Sequence, residues 1–272
     1  MTEKSLNDKY EKLIDKIKPY KKAVVAFSGG TDSALLICAV AHALGKENAI
    51  CITIKSPLLP ESEFSEAVSF CNKHGFRHEV IEIEPLGIEG FASNPTNRCY
   101  LCKKELFTRI LSFAREQGID TVFEGSNTDD LKDYRPGMQA IKELGIKSPL
   151  LDASFSKEDI RCTSKELGLL TWNKPPKACL ASRFVYGEKI TLEKLRMVEK
   201  AEEFLLAKGM PQVRVRILGD NVFIAKIEVP LEDIAAQAAD PQRSDTEKYF
   251  NDLGFSSVEL DLRGYRTGSM NE

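Results

Sequence analysis

From about Lys21 to Leu167, short apolar runs alternate with stretches of helical periodicity. Ala23-Val24-Val25-Ala26-Phe27 is a continuous apolar run, the pattern of a strand buried on both faces. It passes through Ser28-Gly29-Gly30 into Ser33–Leu44, an apolar helix expected to end at Gly45. Ala49–Ile54 and His78–Ile83 are the next predicted strands, separated by a helix over about Glu61–His74. A helix at Leu106–Gln117 and a strand at Thr121-Val122-Phe123 follow. Ser156-Lys157-Glu158-Asp159 has the form of a capping box, with Asp in place of Glu or Gln, and opens a helix to about Leu167. This βαβα rhythm predicts a parallel sheet with helices on both faces and right-handed crossovers.

Beyond the loop Thr171–Gly187 the pattern changes. Leu192–Ala207 carries apolar residues at Leu195, Val198, Ala201, Phe204 and Leu205, an amphipathic helix. Val213–Leu218 and Val222–Val229 flank Gly219-Asp220-Asn221 and predict a hairpin with a three-residue turn. A helix near Asp245–Leu253 and a strand at Ser257–Leu262 complete a small α+β unit. The expected organisation is an α/β domain over residues 1–187 and a smaller α+β domain over 188–272, divided near Tyr186–Ile190.

Composition narrows the class. The 272 residues carry 38 Lys+Arg and 41 Asp+Glu, a formal charge of −3, which argues against a dedicated nucleic-acid binder. With 42% hydrophobic and 29% charged residues the chain has ample apolar mass for a core, which excludes collagen-like and disordered classes. No apolar run approaches the roughly 18 residues of a membrane span. The lysine-rich Met1–Lys22 is helical in character and lacks the apolar core of a signal peptide, so a cytoplasmic chain is expected. Its seven cysteines, an odd count, then read as reduced thiols: Cys38, Cys51, Cys71, Cys99, Cys102, Cys162 and Cys179.

The most informative segment is Ser28-Gly29-Gly30-Thr31-Asp32-Ser33, placed between a buried strand and a helix. Adjacent glycines let the backbone turn sharply and bring N–H groups against a ligand, and the helix N-terminus completes an anion cradle. Ser28 and Ser33 can donate to phosphate oxygens. Asp32 cannot face phosphate without a cation between them, so its expected role is to hold Mg²⁺. The loop lacks a Walker lysine and is not a dinucleotide fingerprint. Its SGGxDS pattern resembles the PP-loop ATP pyrophosphatases. That resemblance implies an adenine-nucleotide α-hydrolase-like fold and cleavage of ATP between the α and β phosphates. A second family-like segment, Glu124-Gly125-Ser126-Asn127-Thr128-Asp129-Asp130, follows a strand where a parallel sheet places its ligand crevice. Its acidic pair, Asp130 included, fits Mg²⁺ binding or substrate orientation, and equally a polar Asn-Asp turn.

Cys99-Tyr100-Leu101-Cys102 is a C-x-x-C at the start of a helix, flanked by Arg98, Lys103 and Lys104, and the helix N-terminus and these cations favour thiolates. Iron–sulfur ligation, zinc, a redox disulfide and two incidental cysteines compete. A redox pair usually sits on a thioredoxin-type βαβ, and zinc wants four ligands where no second C-x-x-C or His pair exists. His42, His74 and His78 fit ordinary helices and a strand. A third sulfur is Cys179 in Lys177-Ala178-Cys179-Leu180-Ala181-Ser182-Arg183, with Cys162 as the substitute. The other cysteines fit the core. Three cysteines without a fourth suit a [4Fe–4S] cluster whose fourth iron stays open to an external ligand such as hydrosulfide.

Further segments narrow the resemblance: Asp133-Tyr134-Arg135-Pro136-Gly137, Ala178–Arg183, Val213-Arg214-Val215-Arg216 and Gly264–Asn271 together look like the LarE family, over about Tyr20 to Asn271. LarE-type enzymes act in biosynthesis of the nickel-pincer cofactor of lactate racemase. The resemblance implies that ATP adenylates a carboxylate of pyridinium-3,5-biscarboxylic acid mononucleotide and that sulfur displaces AMP to leave a thiocarboxylate. Some members sacrifice a cysteine equivalent to Cys179. Others carry the additional C-x-x-C and use a [4Fe–4S] cluster, and Cys99 and Cys102 favour that version, with Cys179 as a ligand. A sulfide source and a homo-oligomer, a hexamer, are implied by the family alone.

Arg214 and Arg216, two apart on a strand, share one face, with Val213, Val215 and Ile217 on the core face. Paired guanidinium groups suit a nucleotide phosphate or the substrate carboxylates, or else an ordinary solvated strand face. Arg183 is placed to screen the acyl-adenylate and Ser182 to bind phosphate. Glu202 matches an acidic residue the family associates with its site, and equally a solvated helix face. Three other functions compete with sulfur transfer. A tRNA thiolase would want a basic, aromatic-rich module that is missing here. An ammonia-dependent ligase leaves the three cysteines unexplained, and a non-catalytic ATP- or cluster-binding partner leaves Ser28, Asp32 and Ser33 unexplained.

Overall fold

A computed structural model of the chain describes residues 3–132, 136–175, 178–210 and 212–266. Of the positions singled out above, Asp133, Tyr134, Arg135, Lys177 and 267–271 lie outside these residues. The chain divides into two compact units. One comprises residues 1–83 and 97–177, the other 84–96 and 178–272. The second unit therefore begins ten residues earlier than the 188 expected from sequence and takes in the excursion 84–96.

In the first unit the elements run α1 (Glu3–Ile17), β1 (Ala23–Ala26), α2 (Thr31–Leu44), β2 (Ala49–Lys55), α3 (Glu61–His74), β3 (Arg77–Glu82), α4 (Arg98–Glu116), β4 (Val122–Phe123), α5 (Gly137–Glu143), α6 (Pro149–Asp152) and α7 (Lys157–Glu166). The four strands form a parallel sheet in the order β3-β2-β1-β4. The apolar runs are explained by burial on both faces. Ala23, Val25, Ala49 and Cys51 enter the core made with α1 and α2, while Val24, Ile50 and Ile52 point into the one made with α4. The C-x-x-C opens a helix as expected, and that helix continues into the stretch from Leu106 as a single α4, with Cys99 and Cys102 in its first turns. The short α5 and α6 carry no readable period; prolines at or just before their first residue start them. The capping box at Ser156 is present, with Asp159 accepting from the Ser156 N–H and Ser156 from that of Asp159.

The second unit contains α8 (Leu192–Ala207), β5 (Arg214–Leu218), β6 (Ile224–Glu228), α9 (Ile234–Ala238), α10 (Gln242–Asp252) and β7 (Ser257–Leu260). Its sheet runs β5-β6-β7, with β5–β6 antiparallel and β6–β7 parallel. The hairpin loop is longer than predicted, since Val222 is exposed and pairing resumes only at Ile224. Gly219 opens that loop at φ +91°, where a Cβ would collide with the Val222 carbonyl. Among the described residues no helix is long and apolar enough to cross a membrane.

Candidate active site

The phosphate-type loop leaves the C-terminal end of β1, pinned by the Phe27 N–H donating to the Ile52 carbonyl at 2.8 Å. Gly29 has φ +71°, and a Cβ there would lie 3.0 Å from Ala67 Cβ on α3, so glycine is required twice over. The Ser28 and Ser33 hydroxyls stand 3.3 Å apart, and Ser28 Oγ accepts from the Gly30 N–H at 3.4 Å. No described side chain caps α2 at Gly30, so its first-turn N–H groups face the loop as an anion cradle. Gly125 lets the second acidic segment pack against this loop, since a Cβ there would come within 3.3 Å of Asp32 Cβ and the Ser33 nitrogen. The two motifs are thus brought together.

Two lysines stand at the loop. Lys157 Nζ donates to Asp32 Oδ1 at 2.6 Å, and its backbone N–H donates to Asp129 Oδ2 at 2.7 Å. Lys174 Nζ donates to the Gly29 carbonyl at 2.8 Å and pairs with Glu66. Burial raises the Asp32 pKa above the ordinary carboxylate value, and Lys157 offsets part of that rise. Asp130 accepts from the Asn127 N–H at 3.0 Å, and its charge also pushes Asp32 upward. Sequence reasoning missed both lysines. Lys157 sits inside the capping box, whose helix-starting role absorbed the segment, and Lys174 arrives from 145 residues away. Glu124 is buried and accepts from the Ser126 N–H and from the Ser126 and Ser148 hydroxyls. Cys99 and Cys102 belong to this unit and are half-buried on α4, whereas Cys51 and Cys71 lie in the core.

The remaining predicted residues fall in the second unit. Cys179 is exposed and precedes a 3-10 turn over Leu180–Arg183. Arg183 is buried, not turned to solvent. Its Nη1 donates to the carbonyls of Ala178 (2.7 Å) and Cys179 (3.2 Å) and to Ser182 Oγ (2.8 Å). Its Nε and Nη2 bind both oxygens of Glu202, each at 2.8 Å. Glu202 also accepts the Val215 N–H at 2.9 Å, so it is a buried partner and no part of a solvated helix face.

The face shared by Arg214 and Arg216 is likewise covered. Arg216 is buried and bidentate to Glu228, its diagonal neighbour across the antiparallel register, and it also donates to the Ser182 carbonyl. Arg214 stacks over Tyr265 at 5.4 Å and donates to the Val213 carbonyl. Burial, and next the neighbouring Arg183 charge, lower its pKa. Within either unit, among the described residues, no group of three or more His, Cys, Asp or Glu could hold a metal ion.

Residues 4–111 match the NAD synthase family model, which spans the phosphate loop. The chain is 41% identical over 266 residues to an uncharacterized protein of Synechocystis sp., covering 98% of each. It is 34% identical over 248 residues to an uncharacterized protein of Methanocaldococcus jannaschii, 91% of this chain and 92% of that one. It is also 34% identical to the pyridinium-3,5-bisthiocarboxylic acid mononucleotide synthase of Lactiplantibacillus plantarum over 268 residues, 98% of this chain and 95% of the relative. A phosphate loop of this kind, carried on a chain alike to that synthase from end to end, places the protein in the LarE family of ATP-dependent sulfur transferases.

Proposed function

We propose that the protein adenylates a carboxylate of pyridinium-3,5-biscarboxylic acid mononucleotide and replaces the AMP by sulfur. The observation that carries this reading is the cradle at Ser28–Ser33 on a chain 34% identical to a named synthase over 98% of its length. A substrate carboxylate oxygen attacks the α-phosphorus of ATP, and pyrophosphate leaves. The first-turn N–H groups of α2, the Ser28 and Ser33 hydroxyls and Lys157 stabilise the charge on the leaving group. A sulfur nucleophile then adds to the acyl carbon, and the collapse expels AMP and leaves a thiocarboxylate. Asp32 and Asp130 would hold Mg²⁺, which neutralises the triphosphate.

The donor set fits a [4Fe–4S] cluster. Cys99 and Cys102 lie half-buried one turn apart at the start of α4, where Asn97 supplies no side-chain cap and the helix N-terminus favours thiolates. Cys179 would be the third ligand, and the cluster would supply sulfur in reduced form from a sulfide source. The exposure of Cys179 also suits the sacrificial reading, in which its Cβ–Sγ bond breaks and dehydroalanine remains. Arg214, Arg216, Arg183 and Ser182 belong to the binding side of the reaction, Arg183 and Arg216 through the backbone they hold.

The test is anaerobic purification followed by turnover with ATP and the biscarboxylate mononucleotide. About four irons per chain, AMP release and a thiocarboxylate product are expected from a [4Fe–4S] cluster and from acyl adenylation. Absence of iron with Cys179 converted to dehydroalanine overturns the cluster and keeps the sulfur transfer. Absence of AMP release overturns both.

A further inference from the structure

Asp159 of the first unit is fully buried in the first turn of α7, the helix that Lys157 opens. Its Oδ2 accepts from the Ser156 N–H at 2.8 Å and from the Ser156 hydroxyl at 2.7 Å, which closes the capping box. The same oxygen takes Lys9 Nζ at 2.6 Å, from helix α1, 150 positions away in the chain. A capping box is complete with its two residues, so starting the helix does not require this lysine. Burial pushes the Asp159 carboxyl up, and Lys9 with the Ser156 donors brings it below the ordinary carboxylate value.

The turn before α7 is gripped from two sides. The acidic segment holds one side: the Thr128 N–H and hydroxyl donate to the Phe155 carbonyl at 2.9 and 3.1 Å, and the Lys157 N–H donates to Asp129 Oδ2 at 2.7 Å. Lys9 holds the other, through Asp159 and, at 3.5 Å, the Ser154 carbonyl. Ser154 takes φ +59°, a conformation that a serine adopts only when its surroundings impose it. From this turn Lys157 sends its Nζ to Asp32 on α2 at 2.6 Å. Helix α1 packs against both α2 and α7, so it braces both ends of that contact.

We infer that Lys9 is a positioning residue for nucleotide binding, which sets Lys157 on Asp32 by holding the Asp159 carboxylate in the capping box. Lys9 touches no nucleotide. The inference rests on the reading that Lys157 and Asp32 face the triphosphate and its cation.

The experiment is a calorimetric titration of the full chain with Mg·ATP, without the acceptor substrate. Lys9→Met should weaken binding about fivefold, the scale of a lost helix N-cap. Lys9→Arg keeps the charge and should restore most of the affinity. Lys18→Met removes an exposed cation from the chain just after α1 and should change nothing, which separates positioning from a loss of net positive charge.

The decisive arm is a double-mutant cycle. In a Lys157→Met background, Lys9→Met should weaken binding no further, while the thermal midpoint falls in both backgrounds. A merely structural role would cost the same fivefold with or without Lys157, and that result overturns the inference. Wild-type affinity in Lys9→Met overturns it as well. If Lys9→Met does not fold, Lys9→Gln keeps a donor, drops the charge and carries the cycle under the same criteria. Wild-type affinity in Lys157→Met overturns the reading of Lys157 and the inference with it, whereas an additive cycle overturns the inference alone.

Discussion

Replacing Glu202 by Gln tests whether the Cys179 platform rests on a buried charge. The side chains of Arg183 and Glu202 are only 3% and 9% exposed, so water screens their attraction little. Glu202 accepts two hydrogen bonds from Arg183 and one from the Val215 N–H. Glutamine preserves the shape but leaves the guanidinium without its counter-charge and turns an N–H₂ donor toward one of its three donors. Removing one partner of a buried pair costs about 3–5 kcal/mol, a large share of the roughly 5–15 kcal/mol that holds a domain folded. Urea unfolding followed in the second unit should show a midpoint drop of that size with an unchanged slope. The double variant Arg183→Leu with Glu202→Leu should recover much of the loss, since no orphaned charge remains. A loss below about 1 kcal/mol for Glu202→Gln would refute the argument, because a pair that weak behaves as a solvated one. A double variant as unstable as the sum of the singles would refute it too. Asp240→Asn, which breaks an exposed ion pair, serves as the control and should leave the midpoint unmoved.

Lys157→Met should weaken Mg·ATP binding about tenfold, as the loss of one charge-assisted contact at a half-exposed site, with Lys157→Arg restoring part of it in a calorimetric titration. In the second unit, burial alone would raise the Asp261 pKa, but its pairing with Lys226 and the Arg263 N–H bring it down to about 2. Because its folded value lies below the unfolded one of about 3.9, its stabilising contribution is complete above that value and fades as pH falls toward 2. Asp261→Asn should flatten that part of the acid-unfolding curve. Cys51→Ala and Cys71→Ala should leave iron content at the wild-type level, whereas Cys99→Ala should lower it, read by metal analysis after anaerobic reconstitution.

What was legible in the sequence is what is local. Strand β1, the turn at Gly29 and the start of α2 form one continuous stretch, and its apolar run, glycines and helical period each state their structure. Helices α3 and α8 match their predicted bounds, since their apolar positions repeat at helical spacing up to a clear stop. The excursion 84–96 could not be read this way. It belongs to the second unit through hydrogen bonds to residues about ninety positions away, and no local period records them. The C-x-x-C reads as opening a helix, and it does open α4; the apolar rhythm alone, which is weak over Arg98–Glu105, registers only from Leu106. At β5 the alternation correctly put Arg214 and Arg216 opposite Val215 and Ile217, yet it implied an open face where Arg216 is buried. Period two reports which side a residue takes, not whether something covers that side.

That last distinction changes how the basic residues divide their work. An arginine bound bidentately to a buried carboxylate has spent its fork, and displacing the carboxylate to admit a phosphate would strand a buried anion. Arg183 and Arg216 are in that state, with Glu202 and Glu228, and both direct their remaining nitrogens to the backbone of residues 178–182. Burial lowers the pKa of Arg214 first, and the Arg183 and Arg216 charges lower it further against the opposing Glu202 and Tyr265. Those two ion pairs hold the chain around Cys179, and Arg214 differs from them in the contacts described above, a stack over Tyr265 and a bond to the Val213 carbonyl. If recognition falls to Arg214 and positioning to Arg183 and Arg216, substitutions should separate them. Arg214→Gln should raise KM for an anionic substrate with stability nearly unchanged, whereas Arg216→Gln should lower stability first, because it leaves Glu228 buried without its counter-charge. If Arg214→Gln instead unfolds the second unit and leaves KM untouched, this division is wrong.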